Sequence, residues 1–101
     1  MTARVRLTPT AKAQARRIDA WWRANRPGSP DLFVLEFARA VALFADTPGI
    51  GRRYEGARTP GVRRYLLRAT GHHVYYAYDE RALTVRVLAV WNAIGGDGPD
   101  V

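Results

Sequence analysis

The feature that most constrains this chain is a change of hydrophobic period near its middle. Between residues 9 and 47 the apolar side chains recur at the three- and four-residue spacing of helices; after residue 61 they follow the alternation of strands. A chain that switches in this way, rather than alternating strand with helix throughout, reads as an α+β domain. The helical half opens at Thr8-Pro9, a capping hydroxyl followed by a proline suited to the first helical position. Residues 9–26 contain no glycine, and Ala11, Ala15, Ile18 and Trp22 form an apolar stripe beside Lys12, Arg16, Asp19, Arg23 and Arg26. Pro27-Gly28 ends this helix, and Ser29-Pro30-Asp31 is expected to open a second one that runs to Asp46 or Thr47. Its main stripe is Phe33, Phe37, Ala40 and Phe44, widened by Leu32, Val34, Val41 and Leu43. A helix this apolar needs cover on more than one side. The first helix and a sheet supply two; a partner protein is a candidate for the third.

The strands follow from alternation and from turn residues. Ala3–Leu7 alternates and leads into the first helix. After Pro48-Gly49-Ile50-Gly51 and a basic loop come Val62–Arg68, His73–Tyr78 and Leu83–Trp91, separated by turns at Thr70-Gly71 and Asp79–Ala82. On the last strand Leu83, Val85, Val87, Ala89 and Trp91 are expected to share a face, opposite Thr84 and Arg86. The order is β-α-α-β-β-β: a helical hairpin on one face of an antiparallel sheet, leaving the other face and the basic loop for function. With 101 residues the chain is expected to be a single domain over 1–101. Residues 92–101, with Gly95-Gly96-Asp97-Gly98-Pro99, read as a mobile tail.

Composition narrows the function. The chain has no cysteine, which excludes disulfides, thiolate catalysis and Cys-ligated zinc. The two adjacent histidines lack carboxylates at ligand spacing, so no metal site and no cofactor is expected. No apolar run is long enough to span a bilayer and no signal core precedes Val5, so a cytoplasmic location is expected. The net charge is +7, and six arginines (Arg52, Arg53, Arg58, Arg63, Arg64 and Arg68) fall within residues 52–68. Such a surface suits nucleic acid or an acidic protein.

Five segments, in order and sensibly spaced, resemble the RelE/ParE toxin superfamily. They are Val5-Arg6-Leu7-Thr8-Pro9 with Ala11; the Phe37–Phe44 helix followed by Pro48-Gly49-Ile50-Gly51-Arg52; Gly61-Val62-Arg63-Arg64-Tyr65-Leu66-Leu67; His73-Val74-Tyr75-Tyr76-Ala77-Tyr78-Asp79; and Val85-Arg86-Val87-Leu88-Ala89-Val90-Trp91. The last strand is similar to that of the ParE branch. The resemblance implies a growth-inhibiting toxin neutralised by a cognate antitoxin that wraps a segment around the helices and sheet edge. It offers two mechanisms, inhibition of DNA gyrase in ParE-like members and ribosome-dependent mRNA cleavage in RelE-like ones.

Candidate residues divide accordingly. Metal-free RNA cleavage needs charge stabilisation and proton transfer, for which Arg63, Arg64, Arg68, His72 and His73 are the candidates, with Tyr75, Tyr76 or Tyr78 to stack on a base. RelE-type nucleases commonly place a Tyr or His just after the last strand, and Asn92-Ala93-Ile94-Gly95-Gly96 has neither, which favours the gyrase reading. For that reading the target-binding candidates are Arg52, Arg53, Arg58, Arg63, Arg64 and Trp91. ParE relatives often carry a basic cluster after the last strand, whereas this chain has Asp97 and Asp100. That departure raises a third possibility, a member that binds antitoxin but is not toxic. The antitoxin-binding candidates are Trp21, Trp22, Phe33, Phe37, Val41 and Phe44.

Overall fold

The computed structural model describes residues 2–94 and 97–101. The chain order is β1 (Arg4–Leu7), α1 (Pro9–Asn25), α2 (Leu32–Asp46), β2 (Arg52–Arg53), β3 (Val62–Leu67), β4 (His72–Asp79) and β5 (Thr84–Asn92). The strands form one sheet in the order β1-β5-β4-β3-β2. The two helices cover one face of it, as the periodicity predicts. One correction concerns β1, which lies parallel to β5, so the sheet is mixed rather than purely antiparallel. Alternation is the same in either direction and could not distinguish them.

Thr8 caps α1 as its sequence predicts: its hydroxyl oxygen accepts from the Ala11 N–H at 3.1 Å, and the hydroxyl donates to the Leu88 carbonyl at 3.3 Å. The second helix starts later than Ser29-Pro30-Asp31 suggests, at Leu32. Asp31 stands at the cap position but makes no side-chain cap bond; its carboxylate pairs instead with Arg23 at 2.8 Å. The Phe33, Phe37, Ala40 and Phe44 stripe then packs into the main core with Leu67, Val74, Tyr76, Val85, Val87 and Val90. Phe44 stacks on Tyr76 at 4.2 Å between ring centroids.

Two features of the sheet depart from simple alternation. Tyr75 pairs with Ala89 and Tyr76 with Val87, so Leu88 is an extra residue in β5, a bulge. Val85, Val87 and Val90 therefore face the helices, while Ala89 and Trp91 belong to the opposite side. The expected common face of Val85, Val87, Ala89 and Trp91 is thus broken at Leu88. Nor is the far side of the sheet bare. Val62, Tyr75, Ala77 and Ala89 form a second buried cluster there, packed against Tyr54, Ala57, Leu88, Trp91 and Val101. Of the tail, Gly95 and Gly96 lie outside the described residues, and Asp97–Val101 returns to this face.

A candidate target-binding groove

The groove is built where the helical half hands over to the sheet. Tyr76 fixes that junction. Its hydroxyl donates to the Pro48 carbonyl and accepts from the Gly51 N–H, each at 2.8 Å. Only glycine fits at position 51, because a β-carbon there would stand 2.8 Å from the Tyr76 oxygen and 3.1 Å from the Arg64 carbonyl. The chain leaves this lock as β2 and pairs Arg52 with Arg64 and Arg53 with Arg63. Side chains of paired residues share a face, so the pairing sorts the arginines into two groups.

Arg52, Arg64 and Arg68 line a groove of about 440 Å³ together with Ile50, Gly51, Tyr65, Leu66 and His73. Among the described residues none of these three arginines has a carboxylate partner. The Arg64 guanidinium stands 5.5 Å from the centre of the Tyr54 ring. Ile50 and Leu66 add apolar rims, 43% and 36% exposed. Burial, and secondarily the charge of Arg64, lower the His73 pKa below the usual histidine value, so the imidazole here is neutral at pH 7.

The other candidates lie elsewhere. Arg63 donates to the Gly51 carbonyl at 2.8 Å, which engages it in the junction. Arg53 is exposed on the side of Arg63. Arg58 pairs with Asp100 at 2.8 Å, and the Trp91 indole N–H donates to the Asp97 carbonyl at 2.8 Å. His72 points away from His73 into the helix layer, its ring 5.6 Å from that of Phe33. Burial lowers its pKa, with Glu36 and the Thr70 backbone opposing, and its buried Nδ1 has no partner among the described residues. The five-residue set Arg63, Arg64, Arg68, His72 and His73 is therefore not one constellation. Alternation along β3 and β4 sends Arg63 and His72 away from the other three. Tyr75 and Tyr76 are buried and Tyr78 packs against the main core, so none of them is an open stacking platform.

Sequence reasoning missed three contributors. Ile50 and Leu66 supply the apolar rims. Glu36 holds the β3–β4 turn: its carboxylate accepts from Ala69 N at 2.7 Å, Thr70 N at 3.0 Å and the Thr70 hydroxyl at 2.6 Å. Its signal was a single acid inside the apolar run of α2. The turn it clamps carries Arg68 on one side and His73 on the other.

The antitoxin candidates also separate. Phe33, Phe37 and Phe44 are core residues, 1%, 9% and 0% exposed, so the chain's own sheet already covers them. Trp22 and Val41 are half-buried against that core. Trp21 is 48% exposed, and the Arg26 guanidinium lies 5.4 Å from its ring centroid. Val34 and Leu35 are the exposed large apolar residues of α2. On the sheet, β2 pairs only with Arg63 and Arg64, and among the described residues no strand borders Tyr65–Leu67 on that side. A surface groove between α2 and this edge is lined by Glu36, Arg39, Ala40, Leu43 and Tyr65–Arg68. Among the described residues, no group of three metal-ligating side chains converges and no helix is long and apolar enough to cross a membrane.

Residues 5–93 match the family model of the ParE toxin of the type II toxin–antitoxin system parDE. Among solved structures, a double-arginine mutant of the Escherichia coli toxin RelE in the free state is similar with a TM-score of 0.60 and 16% identity, over 93% of this chain and 86% of that one. A chain of the RelBE2 toxin–antitoxin complex from Mycobacterium tuberculosis also gives a TM-score of 0.60, at 24% identity, over 91% of this chain and 99% of that one. At these identities the two structures speak for the fold. No curated protein sequence matches the chain.

Proposed function

The chain belongs to the ParE toxin family of type II toxin–antitoxin systems, and from that premise we propose that it arrests growth by binding DNA gyrase, with no catalysis of its own. The observation that carries this reading is the make-up of the groove. Three guanidiniums without carboxylate partners among the described residues stand beside exposed Ile50 and Leu66. Arginine next to apolar side chains is the pattern of a protein-binding anchor. The two histidines, by contrast, face opposite sides of the sheet. A supercoiling assay tests the proposal. The parent protein should inhibit gyrase, and Arg64→Glu should raise the concentration for half-inhibition at least tenfold; normal supercoiling at large excess of the folded parent sinks it.

One observation favours cleavage of ribosome-bound mRNA as a second reading. His73, neutral at pH 7, shares the groove with Arg64 and Arg68, which gives a proton acceptor and a phosphate clamp. New cuts in ribosome-bound message that vanish in His73→Ala would select it over gyrase binding.

In either case the toxin works in the cytoplasm and is neutralised by a cognate antitoxin, encoded by a neighbouring gene. The open Tyr65–Leu67 edge and the groove beside α2 suit a segment that adds a strand and lays apolar side chains on the helix. Leu66→Pro would leave that edge unable to donate, and antitoxin binding by the folded variant should fall.

A further inference from the structure

The last five residues lie across the sheet face that carries the groove. Asp97 accepts from the Trp91 indole at 2.8 Å, and the Val101 carbonyl accepts from the Thr59 N–H at 2.9 Å. Asp100 pairs with Arg58 at 2.8 Å. Pro99 is buried, and Val101 packs on the second apolar cluster. Gly98 sits against Tyr54, where a β-carbon would stand 2.9 Å from the phenol oxygen. Tyr54 in turn meets the Tyr75 ring at 5.0 Å and carries the Arg64 guanidinium above its own. Contacts therefore run without a gap from the tail to an arginine of the groove.

We infer that Asp97–Val101 is a displaceable cover that competes with the toxin's target for the sheet face around Trp91, Arg58 and Tyr54. The inference rests on the reading that this face receives the target. It gives a role to the Asp100 carboxylate, which this strongly basic chain sets against Arg58. The tail offers Arg58 a carboxylate and Trp91 a carbonyl, as an acidic protein partner would.

Among the described residues, two hydrogen bonds, one ion pair, the buried Pro99 and the packed Val101 hold it, and the paired side chains are 78% and 82% exposed. An ion pair so exposed contributes little, and the entropy of ordering five residues opposes closure. No ladder of the sheet passes through these residues, so the cover can open while the sheet stays folded. Opening frees Arg58 and Trp91 and removes the Gly98 backbone from Tyr54, loosening the support of Arg64.

The absence of cysteine permits a direct test. The Thr59 N–H donates to the Val101 carbonyl at 2.9 Å, which makes these two positions the pair to cross-link. The double variant Thr59→Cys with Val101→Cys is locked closed when oxidised and released by dithiothreitol. Gel mobility reports the lock and near-ultraviolet circular dichroism the fold. The oxidised form should need at least tenfold more protein than the reduced form for half-inhibition of supercoiling, while the cysteine-free parent ignores the reductant. A folded variant lacking residues 97–101 should be at least as potent as the parent. Equal potency of the oxidised and reduced forms, or a folded truncation weaker than the parent, overturns the cover. If the parent leaves gyrase untouched, gyrase is the wrong target, and the same oxidised–reduced ratio is read on cleavage of ribosome-bound message. A parent inert in both assays removes the cover together with the target.

Discussion

Replacing Tyr76 by phenylalanine removes one oxygen from the centre of the molecule and leaves the ring in place. The ring is fully buried and stacked on Phe44, so packing is preserved. What is lost is the pair of 2.8 Å bonds to Pro48 and Gly51. The Gly51 N–H, in a buried residue, is then left without its partner. A typical hydrogen bond contributes about 1 kcal/mol net, and an unsatisfied buried donor costs about 1–3 kcal/mol, so the expected loss is about 2–3 kcal/mol. For a domain of this size that lowers Tm by roughly 10–15 °C. Thermal and urea unfolding of both proteins at pH 7 would measure it, and a Tm within about 2 °C of the parent would refute the lock, on the scale that relates energy to Tm. The pH dependence supplies a second check. Burial raises the Tyr76 pKa above its ordinary value of 10.0, with the Gly51 bond and Arg63 opposing. The folded state therefore holds a proton that the unfolded state releases first, and this contribution is complete below pH 10 and lost as pH rises beyond it. The stability gap between parent and Tyr76→Phe should narrow above pH 10.

The remaining predictions concern the turn and the two faces. Glu36→Gln puts an amide N–H₂ against either Ala69 N–H or Thr70 N–H, and should lower stability by about 1.5–3 kcal/mol in urea unfolding; an unchanged midpoint would show that the clamp does not hold the turn. His72 has a lowered pKa, chiefly through burial, so its contribution is complete above the ordinary value of 6.5 and lost as pH falls through the folded value. His72→Leu should flatten the loss of urea stability between pH 7.5 and 5, and an unchanged slope would refute the assignment. Arg63→Ala should lower stability by about 1 kcal/mol through loss of the Gly51 bond, whereas Arg64→Ala should weaken target inhibition with little change in Tm. The reverse pattern would mean that the faces are misassigned.

Most of the fold was legible because its signals are local. Thr8-Pro9 caps α1, Gly71 turns at positive φ, and the apolar stripe of α2 marks its core side. What escaped depends on contacts distant in sequence. The start expected at Ser29-Pro30-Asp31 moves to Leu32, and the Asp31 carboxylate pairs with Arg23 of the preceding helix. The two-residue β2 is too short to show a period and exists because β3 offers Arg63 and Arg64 as partners. The direction of β1 depends on its seat beside β5, eighty residues away at Arg4 and Thr84.

The site was legible as a composition and not as a constellation. Six arginines in residues 52–68 announce a basic surface, but which of them act together depends on parity along the strands. Neighbours in sequence are opposites in space: Arg63 serves the junction while Arg64 lines the groove, and His72 enters the helix layer while His73 stays outside it. The bulge at Leu88 resets that parity on β5 and sends Trp91 to the groove side. Without it, continued alternation from Val85 and Val87 would carry Trp91 into the main core, where its indole could not reach the Asp97 carbonyl. One extra residue in a strand therefore decides whether the C-terminal segment has an anchor on this face.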